Sequence, residues 1–241
     1  MSRAPTAAVL IIGDEVLRGK VVDENSPFFA AQLRAMGVDL LRIVTIPDDL
    51  AVIAAAVAEL SALADHLFTS GGVGPTHDDL TYEGVARAFD LPLVVAPEIE
   101  ALLSARMGPR YNAAAQRMAT IPAGSELWWA GDIPYPLVVT RNVAIFPGVP
   151  ALLRARFAAV ADRFTGQPMG TRRLVTTAGE TDIAHLLTAA AARWPEVSIG
   201  SYPQFDQKPY TVTLTLDSRD AAALEACEAQ LRADLAPQLL P

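Results

Sequence analysis

His66-Leu67-Phe68-Thr69-Ser70-Gly71-Gly72-Val73-Gly74-Pro75-Thr76-His77-Asp78-Asp79-Leu80-Thr81 is the stretch on which the fold and the chemistry turn. An apolar, strand-like run enters three glycines, and hydroxyl and carboxylate side chains then lead into a helix-like segment from Tyr82 to Phe89. Glycine lets backbone N–H groups approach an anion with no Cβ in the way, and a helix N-terminus adds unpaired N–H groups and a favourable dipole. Gly71, Gly72 and Gly74 are therefore candidate donors to a phosphate, with Thr76 and Thr81 beside them. Asp78 and Asp79 would repel that phosphate, each contact costing about 4 kcal/mol at ~4 Å and an effective dielectric of about 20. A divalent cation (Mg, Mn or Co) between carboxylate and phosphate removes the conflict. The loop reads as a metal-assisted nucleotide or pyrophosphate site.

Outward from this loop, strand-like and helix-like segments alternate. Residues 7–12 read as a buried strand that ends in Gly13-Asp14-Glu15. Asn25-Ser26-Pro27 opens a helix with a polar cap and an early proline, its face formed by Phe29, Leu33 and Met36. Residues 38–46 are β-rich, and Pro47-Asp48-Asp49 starts a helix with Ile53, Val57 and Leu60 on one side. Strands joined by crossover helices imply an α/β fold whose parallel sheet carries helices on both faces. Ligands of such sheets bind beyond the carboxyl ends of the strands. Asp14, Glu15, Asp48 and the glycine loop all fall at that edge, more carboxylates than capping needs. Further on, 97–119 is helical with a break at Gly108-Pro109, 126–130 and 137–146 read as strands, and Pro147-Gly148-Val149-Pro150 turns into a helix over 151–164. A linker, 165–170, separates this first domain (1–164) from a small β-α-β-β-α module over 171–241.

The 241 residues are 51% apolar and 19% charged, which suits a packed core and argues against extended disorder. A net charge of −8, with only Lys20 and Lys208 as lysines, disfavours a nucleic-acid or anionic-membrane surface. No apolar run reaches the ~18 residues of a spanning helix. The N-terminal apolar run ends in Gly-Asp-Glu without a cleavage pattern, so a buried first strand and a cytoplasmic protein are expected. Cys227, the single cysteine, stands in a helical apolar stripe with Leu224 and Leu231 and is expected to be a core thiol.

Other motifs carry less. Gly13 to Gly19-Lys20 has five intervening residues where a P-loop has four, and Val21 stands where its Ser or Thr should be. No G-x-G-x-x-G follows the first strand. Thr76 and Asp79 have the spacing of a capping box, a structural reading that competes with the functional one. His77 is a possible base or ligand on an open loop. His66 and His185 fit structural positions. Trp128 and Trp129, adjacent in a strand, point to opposite faces, which places one of them in the core.

Gly13-Asp14-Glu15, Gly19, Asp23-x-Asn25, Pro47-Asp48-Asp49, the long glycine–aspartate motif of residues 71–81 and Pro147-Gly148-Val149-Pro150 together resemble the molybdopterin-binding-like domain family. Within it they look like the N-terminal domain of competence/damage-inducible protein A and the corresponding domain of eukaryotic FAD synthases. The eukaryotic form is also suggested by Thr76 to Glu83, Pro136 to Val143 and Gly200-Ser201-Tyr202-Pro203. The resemblance implies a three-layer α/β sandwich with a mostly parallel central sheet. It implies catalytic roles for Asp48 and Asp79, metal ligands among Asp48, Asp78 and Asp79, and substrate contacts from Asp14, Glu15, Asn25, Pro147 and Gly148. Three functions fit: metal-dependent hydrolysis of a nucleotide diphosphate such as ADP-ribose or FAD, binding and adenylation of molybdopterin, and ligand binding without turnover. The third is motivated by Gly131-Asp132-Ile133-Pro134-Tyr135-Pro136-Leu137, where many bacterial members of the family it resembles carry Gly-x-Ala-Pro-Gly, a second backbone cradle. The C-terminal module is KH-like in the family, but the RNA-clamping GXXG loop is absent here, so a structural or dimerising role and a homo-oligomer are expected.

Overall fold

Six apolar residues in succession need cover on both faces of a strand, and β1 (Thr6–Ile12) is buried at every position. The computed structural model describes residues 3–130, 133–205 and 211–240. It divides the chain into two units, residues 1–166 and 167–241. After β1 the first unit runs α1 (Asp14–Leu17), α2 (Asn25–Ala35), β2 (Asp39–Ile46), α3 (Leu50–Leu63), β3 (His66–Ser70), α4 (Thr81–Ala88) and β4 (Leu93–Val95). It continues through α5 (Pro97–Met107), α6 (Ala113–Ala119), β5 (Thr120–Pro122), β6 (Glu126–Trp128), β7 (Leu137–Thr140), β8 (Val143–Phe146) and α7 (Pro150–Val160). The main sheet has the order β2-β1-β3-β8-β7-β6, and β4 and β5 form a separate ribbon. β2, β1, β3 and β8 are parallel, while β7 and β6 each run antiparallel to their neighbour.

The period of two along each strand sorts the core. Ala8, Leu10, Ile12, Leu67, Val143 and Ile145 meet Ile53, Val57 and Leu60 of α3 and Val85 of α4 on one face. Ala7, Val9, Ile11, Phe68, Ala144 and Phe146 meet Phe29 and Leu33 of α2 and Leu153, Phe157 and Val160 of α7 on the other. This is the three-layer α/β fold, with both sides of a central parallel sheet covered.

Two local expectations are corrected. Residues 137–146 are a hairpin, β7 and β8, and not one strand. Arg141 takes φ 54° at the turn, with its guanidinium 4.4 Å over the Phe89 ring. Asn142 donates to the carbonyls of Ser61 and Ala64 at 2.9 and 3.0 Å, closing the end of α3. The cap of α2 is Asp23, whose Oδ1 accepts from the N–H groups of Asn25 and Ser26, and not Asn25 itself.

Of the tryptophan pair, Trp128 packs on the second core face and Trp129 is exposed. His66, at the start of β3, lies edge-on to Phe164 at 5.3 Å. Burial lowers its pKa, with the Asp65 carboxylate partly offsetting. The unfolded chain therefore takes up a proton that the folded chain resists, and this contribution is present above the unfolded value of about 6.5 and lost as pH falls toward the lower folded value. Urea unfolding between about pH 7 and pH 5 should show a shallower loss of stability in His66→Asn than in the wild type. Parallel slopes would remove His66 as the cause.

The second unit comprises β9 (Gly170–Thr176), α8 (Glu180–Arg193), β10 (Ser198–Gln204), β11 (Thr211–Ser218) and α9 (Ala221–Asp234). Its antiparallel sheet has the order β10-β11-β9. The β-α-β-β-α reading holds, although Tyr210, expected to open the fourth element's strand, lies outside the described residues. Ile183, Leu214, Leu216, Leu224 and Leu231 surround the buried Cys227, and burial pushes its thiol pKa up, as fits an unreactive core group.

Candidate functional site

The carboxyl ends of β1, β2, β3 and β8 meet at one rim, where backbone is packed against backbone. The Gly13 N–H donates to the Ile46 carbonyl at 3.1 Å, and the Gly71 N–H to the Phe146 carbonyl at 3.2 Å. Gly71 has φ 109°, and a Cβ there would lie 2.0 Å from the Ile12 carbonyl oxygen. Gly72 has φ 63°, and a Cβ there would lie 2.5 Å from the Thr81 hydroxyl. Only glycine satisfies both demands. Thr81 is fully buried, its hydroxyl donating to the Gly71 carbonyl at 2.8 Å and its N–H to the Gly72 carbonyl at 3.0 Å. Asn25 clamps the rim from α2, its Nδ2 donating to Ser70 Oγ at 2.9 Å and to the Gly148 carbonyl at 2.7 Å.

Three of the expected ligand contacts have protein partners: the Gly71 N–H is committed to β8, the Thr81 hydroxyl to the glycine loop, and the Asn25 Nδ2 to Ser70 and Gly148. Each helps to build the rim. The Asn25 Oδ1 is buried without a partner. Pro147 contributes its carbonyl, 3.4 Å from Ser70 Oγ. The N–H groups left over are those of Gly72, Val73 and Gly74, which meet no acceptor among the described residues. They form a row of donors on a partly exposed loop.

The carboxylates divide by geometry. Asp49 caps α3 through the N–H groups of Ala51 and Val52. Asp79 turns back on its own loop, its Oδ2 accepting from the Thr76 N–H at 2.7 Å and the Thr76 hydroxyl at 2.5 Å. The capping-type reading of Thr76 and Asp79 is thus realised as a closed turn, and one Asp79 oxygen is left without a described partner. Asp48 accepts from the Asp14 N–H at 2.8 Å. Burial raises its pKa, the Asp14 N–H works against that, and Glu15, Asp14 and Asp78 add repulsion. Asp78 itself is exposed, and the Thr76 hydroxyl, its own backbone N–H and His77 hold its pKa down. Arg18 pairs with Asp14, and among the described residues no cationic side chain pairs with Asp48. His77 stands in solvent.

Among the described residues no three His, Cys, Asp or Glu side chains gather into a ready cation site, so Asp48, Asp78 and Asp79 are not one preformed ligand set. The donors present are nonetheless hard carboxylate oxygens, of which one on Asp14 is paired with Arg18. They fit a cation such as Mg²⁺, which is held by one or two carboxylates with phosphate and water completing the shell. Gly131 and Asp132, in the loop that departs from relatives, lie outside the described residues.

A doubly covered parallel sheet whose rim joins free amides to carboxylates defines an α/β domain of the molybdopterin-binding type. The chain belongs to the family described as "Probable molybdopterin binding domain", which matches residues 8–166. Residues 168–241 match "FAD synthase, middle domain". The chain is 34% identical to a "Probable FAD synthase" of Caenorhabditis elegans, over 100% of this chain and 52% of that protein. It is 32% identical to a "CinA-like protein" of Citrifermentans bemidjiense, over 96% of this chain and 58% of that one. It thus spans little more than half the length of these relatives. The crystal structure of the protein CinA of Thermoplasma acidophilum, described as of unknown function, superposes with a TM-score of 0.61 at 29% identity over 66% of this chain and 99% of that one. Among the described residues no helix is long and apolar enough to cross a membrane.

Proposed function

We propose that the protein is a divalent-cation-dependent pyrophosphohydrolase of nucleotide diphosphates, of the FAD or ADP-ribose class. The observation that carries this is the meeting of two incomplete sites at one rim. The amides of Gly72, Val73 and Gly74 meet no protein acceptor among the described residues, and the partly buried Asp48 carboxylate is repelled by Glu15, Asp14 and Asp78. A cation–diphosphate pair satisfies both, and neither component alone does. The amide row binds and orients the diphosphate, and the turn closed by Thr76 and Asp79 keeps that row in place. Asp48, with Asp78 and the free oxygen of Asp79, would hold the cation, which supplies charge neutralisation and a more acidic water. The FAD synthase names of the relatives point to a flavin dinucleotide as one substrate to try first.

The test is incubation of the purified chain with FAD, ADP-ribose and NAD in the presence of Mg²⁺, Mn²⁺ or Co²⁺. Release of AMP that requires the metal supports the reading, and absence of cleavage of all three contradicts it. The dispersed carboxylates favour a second reading, binding without turnover, which predicts a raised melting temperature with these ligands and no product.

A further inference from the structure

Arg156 stands three residues after Leu153 and four before Val160, in the stripe by which α7 faces the core. Among the described residues no carboxylate pairs with it, and its Nε is buried without an acceptor. Its Nη1 donates to two consecutive carbonyls, those of Tyr135 and Pro136, both at 2.7 Å. The guanidinium also lies 5.0 Å from the centre of the Tyr135 ring. Tyr135 donates to the Met118 carbonyl at 2.5 Å and packs against the core cluster that holds the buried Tyr82. Tyr82 follows Thr81, the residue that locks Gly71 and Gly72.

A cation without a counter-ion is costly to keep in a core stripe, where an apolar residue of similar size is often as stable or more so. Its presence calls for a task other than stability. β7 runs antiparallel to β8, so residues 133–136 stand at the same rim as Gly148. The cavity beside Arg156, bounded by Trp128, Ile133, Leu137 and Val160, measures about 10 Å³, the room of a single water. No phosphate reaches the guanidinium through it.

We propose that Arg156 is a positioning residue, which fixes segment 133–137 as the second wall of the site and couples it to the glycine loop through Tyr135 and Tyr82. The proposal deepens the pyrophosphohydrolase reading and rests on it for its consequence in turnover. A displacement of about 1 Å in a site can cost about 100-fold in rate. Arg156→Met, which keeps the bulk and removes the charge and donors, is therefore expected to lower kcat by about 10–100-fold with little change in KM. Its melting temperature should be unchanged or raised. Arg156→Lys, with a charge but no planar fork, should fall between the two.

Hydrogen exchange separates this proposal from the activity. In Arg156→Met the amides of residues 82–85 should exchange about ten-fold faster together with those of 137–140, while β1 and β3 keep their protection. Faster exchange confined to 137–140, or raised across the whole unit, overturns the coupling. If the wild type neither cleaves nor binds any dinucleotide, the functional reading fails and the exchange result still decides the role of Arg156. Full activity of Arg156→Met in a cleaving enzyme overturns the positioning role outright.

Discussion

Asp48→Asn is expected to lose at least about 100-fold in metal-stimulated cleavage, the range set by removing a positioned carboxylate from an active site, and to melt higher than the wild type. Both effects have one cause. The Asp48 carboxylate is partly buried, faces Asp14, Glu15 and Asp78, and has a single compensating bond from the Asp14 N–H. Asn keeps an oxygen for that N–H and removes the charge. The repulsion disappears along with the ability to hold a cation. For a unit of this size a gain of about 1 kcal/mol raises the midpoint by about 2–4 °C. Added Mn²⁺ should raise the wild-type midpoint and leave that of the variant unmoved. A variant that is less stable and still active would make Asp48 a structural partner of α1 and nothing more.

Gly71→Ala should be the most damaging single methyl group in the protein. The new Cβ would lie 2.0 Å from the Ile12 carbonyl, at a φ of 109° that side chains avoid. Both partners are backbone, Ile12 in the fully buried β1 and Gly71 at the end of the adjacent β3, so neither can swing away. A loss of more than about 4 kcal/mol, at the extreme of point substitutions, is expected in urea unfolding, with little folded protein recovered. Gly72→Ala is the milder control, because its Cβ would meet the Thr81 hydroxyl, 2.5 Å away, and not main chain. Near-normal stability of Gly71→Ala would mean that β1 and β3 do not close together at the rim.

The sheet was legible because the run from Ala7 to Ile12 has no polar face to offer water and because each crossover carried its own glycine, cap or proline. The hairpin of 137–146 was not legible. Its turn uses Arg141 in the left-handed region, a residue that gives no turn signal, and only the stacking on Phe89 and the capping by Asn142 explain why it is tolerated. At the site, the residue types were readable but their assignments were not. Asp78 and Asp79 are chemically equivalent in sequence, and only the structure shows that Asp79 turns back to Thr76 while Asp78 stands exposed. Gly71, Thr81 and Asn25 belong to the rim as expected, but their protein partners were not legible; those of Asn25 lie 45 and 123 residues away and cannot be read from spacing. Arg156 did carry a signal, a charge inside an apolar stripe, which a search for glycine and carboxylate motifs passes over.

Reciprocal calorimetry with Mn²⁺ and ADP-ribose tests the shared rim most directly. If amides and acids hold cation and diphosphate as one unit, each should tighten the other by the same factor, about ten-fold or more, and Asp48→Asn should erase the linkage while leaving the weaker metal-free binding. Two affinities that ignore each other would place cation and diphosphate at separate sites and contradict the account.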